Sequence, residues 1–359
     1  MYSPECKICG GKQCQPLGIE SFLFPTVSYL PDLHEYKNFI CNCCGIVFAY
    51  PQIEQEKLSH FYNSNYWRSI NDEGLNYGED YFNSPIDFAN SEISLKRARN
   101  FFLACERAAL NYPHVLPQVN DLVIDLGAYQ GLFLHALRQK FQVRVIPCDY
   151  SQSGMDFARN LLEMDNARVI KDFFAETFDE PARFVTMVHF LEHINDPIRL
   201  LRHVRERLLS EEGILYIEVP NLYGHPMSDP FHFFTYSKES LCRVLSISGF
   251  EVLEIFTNSF PPNSKNLWGN QEQNLVCIAR PTDDDVEFSP VNIDLIRENV
   301  RIAYSQHSAN GIWSFGKYHL TQFFKVFYYL TFAVLLERIS PKFMMRVAQL
   351  IGVRKRPPI

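Results

Sequence analysis

The stretch from Asp121 to Tyr150 constrains the fold more than any other part of the sequence. It begins with the apolar run LVIDL, which ends at Gly127, and a short run bounded by glycine is typical of a buried strand in a parallel sheet. Helical spacing follows in LFLHALRQKF, and a second apolar run, VRVIPC, ends at Asp149. This order predicts a βαβ unit in an open α/β sheet, where ligands bind outside the carboxyl ends of the strands.

The glycines of this stretch distinguish between two classes of cofactor. The dinucleotide fingerprint GxGxxG needs glycine at 127, 129 and 132, but the chain has Tyr129 and Leu132. A NAD-dependent oxidoreductase is therefore disfavoured. The motif of class I S-adenosylmethionine (SAM) methyltransferases is an acid followed by GxGxG. With Asp125, Gly127 and Gly131, the stretch resembles that motif, and Tyr129 is its one departure.

The resemblance implies a Rossmann-like core that binds SAM at the glycine turn and at the end of the second strand. Small residues let backbone amides approach the ligand, and Asp149 can accept hydrogen bonds from both ribose hydroxyls. In the resembled family, an acid after the third strand can bind the adenine amino group, and Asp172, after the third apolar run, stands near that position. The implied cofactor contacts are Asp125, Gly127, Ala128, Tyr129, Gly131, Asp149, Tyr150, Asp172 and His189. The alternative for this stretch alone is a βαβ unit that binds no ligand.

Composition limits the class of protein. The chain has 359 residues, of which 47% are hydrophobic and 21% charged, as in a globular protein large enough for two domains. Its net charge of −7 argues against general nucleic-acid binding. The N-terminus lacks a basic region followed by an apolar run, so no signal peptide is expected. We therefore expect a cytoplasmic protein, with contact at the inner face of the membrane as a further option.

Two cysteine knuckles near the N-terminus predict a structural zinc site. Each is a CxxCG sequence, whose spacing turns two thiolates toward one ion and whose glycine permits a positive φ. The expected ligands are Cys6, Cys9, Cys41 and Cys44. Cys14 and Cys43 are spare thiols, and either could replace a ligand. Buried cysteines without a metal are the alternative.

The sequence around these knuckles resembles a family of bacterial zinc-containing methyltransferases that act on sugars and other small molecules. The family pattern is CxxCG, a spacer, CxxCGhxF, a proline and an aromatic FY…Y box. The matching residues after the second knuckle are Phe48, Pro51, Phe61, Tyr62 and Tyr66. The resemblance runs from residue 6 to about residue 280.

The resemblance and the composition together predict four segments. Residues 1–66 form a zinc-binding domain, and residues 67–117 form a linker with a helical lead-in. Residues 118–281 form the class I SAM methyltransferase domain, and residues 282–359 form a C-terminal helical extension. The fold class expected is α/β. In the extension, the apolar run at 320–339 is interrupted by polar residues and is too short to span a membrane. Its helices pack on the body, join two subunits, or lie on a membrane surface.

Several histidines lie where the resemblance implies that the acceptor of the methyl group binds. The tract His189-Phe-Leu-Glu192-His193 resembles the LEH signature of these methyltransferases. A metal site there is disfavoured, because the tract lies in a turn and lacks a helical i, i+4 histidine pair. His232 matches the last histidine of a His-Glu-His motif in related sugar C-methyltransferases, but Pro230 stands at the position of the first. That departure weakens an assignment of C-methylation.

The function expected is transfer of a methyl group from SAM to a small-molecule or glycan-linked acceptor. A sugar in cell-surface polysaccharide or natural-product biosynthesis is the acceptor that the resemblance implies. A histidine can take the acceptor's proton near neutral pH, in the order His232, His189, His193. The competing hypothesis is a catalytically inactive adaptor with a methyltransferase fold and a structural zinc. Tyr129 favours the adaptor, whereas Asp149 and the LEH tract favour the enzyme.

Overall fold

The computed structural model describes residues 4–17, 37–54, 92–224, 231–258, 273–284 and 291–303. All of them belong to one compact unit. Several sequence predictions concern residues outside these ranges: the hairpin at 22–36, the aromatic residues Phe61, Tyr62 and Tyr66, the linker at 67–84 and the apolar run at 320–339.

The described strands form two sheets. They are β1 (Cys14–Pro16), β2 (Lys37–Cys41), β3 (Val47–Tyr50), β4 (Leu122–Leu126), β5 (Arg144–Asp149), β6 (Arg168–Val169), β7 (Ala182–Val188), β8 (Leu209–Pro220), β9 (Phe234–Thr235), β10 (Phe250–Asn258) and β11 (Asn274–Pro281). The helices are α1 (Glu92–Ala109), α2 (Leu132–Phe141), α3 (Gln152–Leu162), α4 (Pro197–His203) and α5 (Lys238–Ile247). Short 3₁₀ turns lie at Pro113–Val115 and Leu191–His193, and a π-helical turn, Val204–Leu208, continues α4.

The larger sheet has seven strands in the order β10-β11-β8-β7-β4-β5-β6. Strands β4 to β8 pair in parallel, while β11 pairs antiparallel with both β8 and β10. The predicted α/β fold with a parallel-dominated sheet is confirmed, and the antiparallel pair of β10 and β11 closes one edge of the sheet. The motif strand β4 is central and buried at all five positions, because helices cover both faces of the sheet. The third predicted strand is shorter than expected, since only β6 forms in RVIKDFF.

Helical spacing in residues 86–112 predicts a core face with Ile93, Leu95, Phe101, Phe102 and Leu103, but helix α1 buries a different stripe. Phe101 is buried as expected, but Leu95 and Leu103 are 48% and 36% exposed. From residue 95 to residue 109 of the helix, the other buried side chains are small: Ala98, Asn100, Ala104, Cys105 and Ala108. Their spacing of three and four residues forms one helical face. Small side chains on that face let the helix axis approach the sheet closely, while Phe101 supplies most of the apolar area.

The smaller sheet joins the N-terminal segment to the rest of the unit. Its order is β1-β2-β3-β9, and all of its pairs are antiparallel. Strand β9 comes from the segment predicted as the methyltransferase domain, so the sheet combines residues of two predicted domains. We call residues 4–17 and 37–54 the ribbon. Its buried side chains share one apolar cluster with α4, α5 and one face of the larger sheet.

A further helical segment, 293–303, packs on the ribbon. Ile296 and Val300 are buried against Ile40 and Val47. The Arg297 guanidinium donates to the side-chain oxygen of Gln15 at 2.6 Å. This contact agrees with the expectation that helices of the C-terminal extension pack on the body. Among the described residues, no helix has the length and apolarity needed to cross a membrane.

Candidate active site

The turn between β4 and α2 has the backbone shape that the glycine motif predicts. Gly127 has a φ of +81° and Gly131 a φ of +73°, a region that side chains rarely occupy. The N–H of Gly127 donates to the Cys148 carbonyl at 2.8 Å, which fastens the turn to the end of β5. A Cβ on Gly127 would lie 2.3 Å from the Phe190 ring. Both the backbone conformation and the packing therefore require glycine at 127.

Tyr129 has a left-handed conformation at the position where the motif has glycine. Its φ is +49°, which costs an L-residue on the order of 1 kcal/mol. Its N–H donates to Asp149 Oδ2 at 2.7 Å, and a hydrogen bond to a carboxylate is among the stronger ones. The turn thus keeps the path of the motif although its central residue has a large side chain.

Asp149 lies at the carboxyl end of β5, held by backbone amides from two sides. Oδ2 accepts from Tyr129, and Oδ1 accepts from the N–H of Ser151 at 2.8 Å. Burial raises the pKa of Asp149, although these hydrogen bonds act in the opposite direction. A carboxylate oxygen has more than one acceptor site, so both oxygens can also accept from ligand hydroxyls. Ser151 in turn caps α3, accepting from the N–H of Gly154 at 3.1 Å.

Asp125, the acid of the predicted motif, lies inside the sheet. It is 2% exposed, and Thr186 Oγ1 on β7 donates to its Oδ1 at 2.6 Å. Burial raises the pKa of Asp125 to about 7, against the lowering effect of the Thr186 hydrogen bond and the charge of Arg97. Its position links β4 to β7 directly beneath the turn.

The other predicted cofactor residues surround the same edge of the sheet. Ala128 lies in the turn, and its N–H also donates to the Cys148 carbonyl. The Tyr150 ring meets the buried Phe173 ring edge-on, with centroids 4.7 Å apart. Asp172 is exposed, and its Oδ1 accepts from the N–H of Phe174 at 2.9 Å. The structure therefore brings the turn, Asp149 and Tyr150 together and places Asp172 on the loop after β6.

The LEH tract and His232 meet although they are far apart in sequence. The tract follows β7 and forms a 3₁₀ turn at Leu191–His193. The rings of His193 and His232 lie 4.8 Å apart and nearly perpendicular. His193 Nδ1 lies 2.9 Å from the Phe231 carbonyl, which can only accept, so Nδ1 carries a proton in this hydrogen bond. Its Nε2 lies on the side of Glu192, 3.9 Å from Oε1 of that residue.

Two buried glutamates flank His189, which is the strained residue of this cluster. Its φ is +53°, and its ring nitrogens lie 3.5 Å from Glu192 Oε1 and 3.8 Å from Glu218 Oε1. Burial by itself lowers the pKa of His189, but the two carboxylates outweigh it and the net shift is upward. Burial raises the pKa of Glu192, yet the neighbouring histidines bring it down to about 2. Positive φ at a residue held between charges is a common mark of a functional site.

Sequence reasoning missed Glu218, Arg97 and Asn100. Glu218 is fully buried on β8 and accepts hydrogen bonds from Tyr216 (3.1 Å), Asn100 (3.3 Å) and Asn274 (3.3 Å). The helical spacing of residues 86–112 predicts that Arg97 faces solvent or an anionic ligand, and in the structure its charge acts on Asp125, His189 and Glu218. A charged residue inside the apolar run ILYIEVP was the available signal for Glu218.

The chemistry of this cluster also suits a cation. One ligand atom from each of Glu192, His193 and His232 lies within 4.8 Å of the others. Two imidazoles and a carboxylate are ligands that zinc and other divalent metals accept. The HxxEH turn by itself lacks the helical histidine pair of a metal site, but His232 joins it from a distant segment. Metal analysis of the purified protein distinguishes this option from a metal-free histidine cluster.

The N-terminal cysteines fit a zinc ion. The sulfurs of Cys6, Cys9, Cys41 and Cys44 all lie within 4.8 Å of one another. Two of their separations are 3.7 Å and 3.6 Å, close to the edge of about 3.8 Å that a tetrahedron with Zn–S bonds of about 2.3 Å requires. Gly10 and Gly45 have the expected positive φ, +68° and +73°. The group includes neither Cys14 nor Cys43, so the four predicted ligands are the ones brought together.

Residues 95–255 match the family model described as Methyltransferase domain. The matched range contains the glycine turn, Asp149, the LEH tract and His232. It does not reach the cysteine knuckles, so membership of the zinc-containing family stays a prediction. No curated protein matches the chain significantly.

Solved methyltransferase structures resemble parts of the fold. A chain from the complex of the Haloferax volcanii Trm112 methyltransferase activator with a methyltransferase has a TM-score of 0.42 at 18% identity, covering 55% of this chain and 96% of that chain. A SAM-dependent methyltransferase from Clostridium acetobutylicum has a TM-score of 0.40 at 13% identity, with 55% and 95% covered. The mitomycin 7-O-methyltransferase MmcR has a TM-score of 0.41 at 17% identity, with 64% and 61% covered.

Proposed function

We propose that this protein is a SAM-dependent methyltransferase that acts on a small-molecule or glycan-linked acceptor. The observation that carries the proposal is the turn at 127–131, in which Gly127, Tyr129 and Gly131 have positive φ and the Tyr129 N–H donates to Asp149. The match of residues 95–255 to a methyltransferase domain supports it. The zinc-containing family that the sequence resembles points to a sugar as acceptor.

On the cofactor side, the chain supplies binding and orientation. Asp149 receives the ribose hydroxyls, and its two backbone hydrogen bonds fix the carboxylate before the ligand arrives. The turn at 127–131, which is tied to Asp149 by the Tyr129 N–H, and the neighbouring Tyr150 supply the other proposed contacts to SAM. When bound, SAM supplies an electrophilic methyl group. Displacement at a methyl group is in-line, so holding donor and acceptor in register accounts for much of the rate.

On the acceptor side, the histidine cluster takes the proton. His232 is the first candidate for this base, followed by His189 and His193. Glu192, which is 1% exposed, supports a positive charge on a neighbouring histidine as the proton is taken up. Phe190 connects the two halves, because its ring covers Gly127 while its neighbours in sequence begin the LEH tract. The methyl donor and the base would thus meet at the same edge of the sheet.

The adaptor hypothesis is less well supported. It relied on the departure of Tyr129 from the glycine motif, but Tyr129 adopts a left-handed conformation that glycine favours, and its N–H donates to Asp149. An adaptor also has no need of buried carboxylates facing a strained histidine, since buried charges are costly to maintain. Peripheral membrane contact, a homodimer through the C-terminal helices and a cytoplasmic location stay predictions.

The direct experiment is transfer of a labelled methyl group. The purified full chain is incubated with labelled SAM and a panel of nucleotide sugars, lipid-linked glycans and small hydroxylated acceptors. We expect label in at least one member of the panel, with S-adenosylhomocysteine formed in equal amount. SAM binding without transfer to any acceptor would favour the adaptor over the enzyme.

A further inference from the structure

We propose that the ribbon is a positioning element of the acceptor site, and that Gln52 and the backbone of Ala49 hold His232 in its working place. The inference deepens the proposed function and rests on it, since it concerns how the candidate base is oriented. The ribbon would then contribute to turnover through hydrogen bonds of its own, in addition to any role of its metal in folding.

The backbone on both sides of His232 is tied to the LEH tract. The carbonyl of Phe231 accepts from His193 Nδ1 at 2.9 Å. The N–H of Phe233 donates to the carbonyl of Glu192 at 2.7 Å. These two contacts bracket His232 and set its ring 4.8 Å from that of His193. They fix the segment on the side of the larger sheet.

The opposite side of the same segment is held by the ribbon. The Phe233 carbonyl accepts from the N–H of Ala49 at 3.2 Å and from Gln52 Nε2 at 3.2 Å. Strands β3 and β9 then continue the pairing at Val47 with Thr235 and Phe48 with Phe234. Phe233 is therefore the residue at which the ribbon and the LEH tract meet, one position after His232.

Packing reinforces these hydrogen bonds. Phe231, Phe233 and Phe234 are 3%, 0% and 1% exposed, whereas His232 between them is only partly buried. The three phenylalanines share their apolar cluster with Cys6, Cys41, Cys44 and Phe48 of the ribbon. The segment is thus anchored on both sides of a single histidine that faces the cluster of Glu192 and His193.

The pairing of β9 is short, so individual contacts matter. Only two residues of β9 pair with β3, and the Gln52 and Ala49 contacts to Phe233 extend that pairing toward His232. Loss of one neutral hydrogen bond costs roughly 1 kcal/mol, enough to let a short segment shift. A displacement of a catalytic group by about an ångström lowers rates substantially. The SAM-side contacts belong to the other sheet and should not respond.

The test is the isosteric substitution Gln52→Glu, which replaces the donor to Phe233 by an acceptor. The matched control is Gln15→Glu, the same change elsewhere on the ribbon, where the residue accepts from Arg297 and the carboxylate can still accept. We expect Gln52→Glu to lower kcat by about five- to thirtyfold, with SAM affinity, zinc content and melting temperature close to wild type. Gln15→Glu should leave all four quantities unchanged.

A second readout does not depend on turnover. The ring C–H resonances of His232, assigned by comparison with His232→Ala, report its surroundings in a heteronuclear NMR spectrum. They should shift in Gln52→Glu and stay in place in Gln15→Glu. Unchanged kcat and unchanged His232 resonances in Gln52→Glu would overturn the inference. If the wild type transfers no methyl group at all, the proposed function fails, while the resonances still decide whether the ribbon positions His232.

Discussion

Tyr129 has a φ of +49° at the position where the motif of SAM methyltransferases has glycine. A sequence comparison counts this residue as a mismatch, because the letters say nothing about which side chains a turn can hold. The hydrogen bond from its N–H to Asp149 stabilises the conformation that the motif needs. Individual residues therefore determine how the turn could hold SAM, and the contribution of Asp149 can be measured directly as a change in SAM affinity.

We predict that Asp149→Ala weakens SAM binding by about ten- to a hundredfold, or roughly 1.5–3 kcal/mol. The substitution removes the acceptor for the ribose hydroxyls. Calorimetric titration measures it, with Asp165→Ala, an exposed aspartate after α3, as the matched control. In the wild type, affinity should fall on acidification at a pH above the ordinary aspartate range, because burial raises the pKa of Asp149 and protonation removes an acceptor. Equal affinity in the wild type and Asp149→Ala would rule out this role.

His232→Ala should lower kcat by roughly 10²–10⁴-fold, the range for removing a general base. SAM affinity and melting temperature should stay nearly unchanged, since the partly buried ring contributes little apolar packing. Steady-state kinetics with the labelled-methyl assay measures the effect, and His114→Ala, at an exposed histidine, is the control. A variant that loses stability and keeps its turnover would instead identify His232 as a packing residue.

At the scale of elements, the clearest predictions came from patterns with one physical solution. Short apolar runs ending in glycine or aspartate predicted β4 and β5. Asp196 before a proline and Ser237 before a helical run are typical of helix starts, and both residues cap helices in the structure. The face of α1 was harder to predict, because a helix that packs closely buries alanines and its large apolar residues can stay exposed. Contacts between distant segments, such as β3 with β9, leave no local signal and could not be predicted.

The helical segment 293–303 allows a test of its packing on the ribbon. Ile296 is 5% exposed within the cluster that holds Ile40 and Val47, whereas the neighbouring Leu295 is 55% exposed. Ile296→Ala should lower the free energy of unfolding by about 2–4 kcal/mol through lost burial and a cavity, and Leu295→Ala by less than about 0.5 kcal/mol. Urea unfolding measures both. Similar losses in the two variants would contradict this packing.

For the whole molecule, the candidate site combines three parts of the chain: the glycine turn with Asp149, the LEH tract, and the segment of His232 that contacts the ribbon. The sequence located each part by its motif. It could not show that Glu218 and Arg97 stand between them, because their burial depends on how the strands and α1 pack. The sequence also predicted a zinc-binding domain at residues 1–66, and in the structure β3 of that segment pairs with β9, a contact that no local pattern indicates.

Because the ribbon pairs with β9, loss of the zinc expected at its four cysteines should affect both segments. We predict one tightly held zinc per chain, detected by elemental analysis of the purified protein. Cys44→Ser should lose it and speed amide exchange in both the ribbon and β9, because structural zinc binding is coupled to folding. Cys43→Ser, at a neighbouring thiol outside the four-sulfur group, should retain the zinc. A metal-free wild type with a fully folded ribbon would refute the zinc site. If the wild type holds a second metal ion per chain and His232→Ala loses it, that ion binds at the histidine cluster.

The central claim is that the edge of the sheet around Gly127, Tyr129 and Asp149 binds SAM. Titration of SAM into the full-length wild-type protein in a calorimeter tests it most directly. We predict saturable binding of one SAM per chain, which S-adenosylhomocysteine competes with and NAD does not affect. A wild-type protein that is folded and zinc-loaded, yet shows no heat of binding with SAM at any concentration or temperature where a known methyltransferase does, would contradict it.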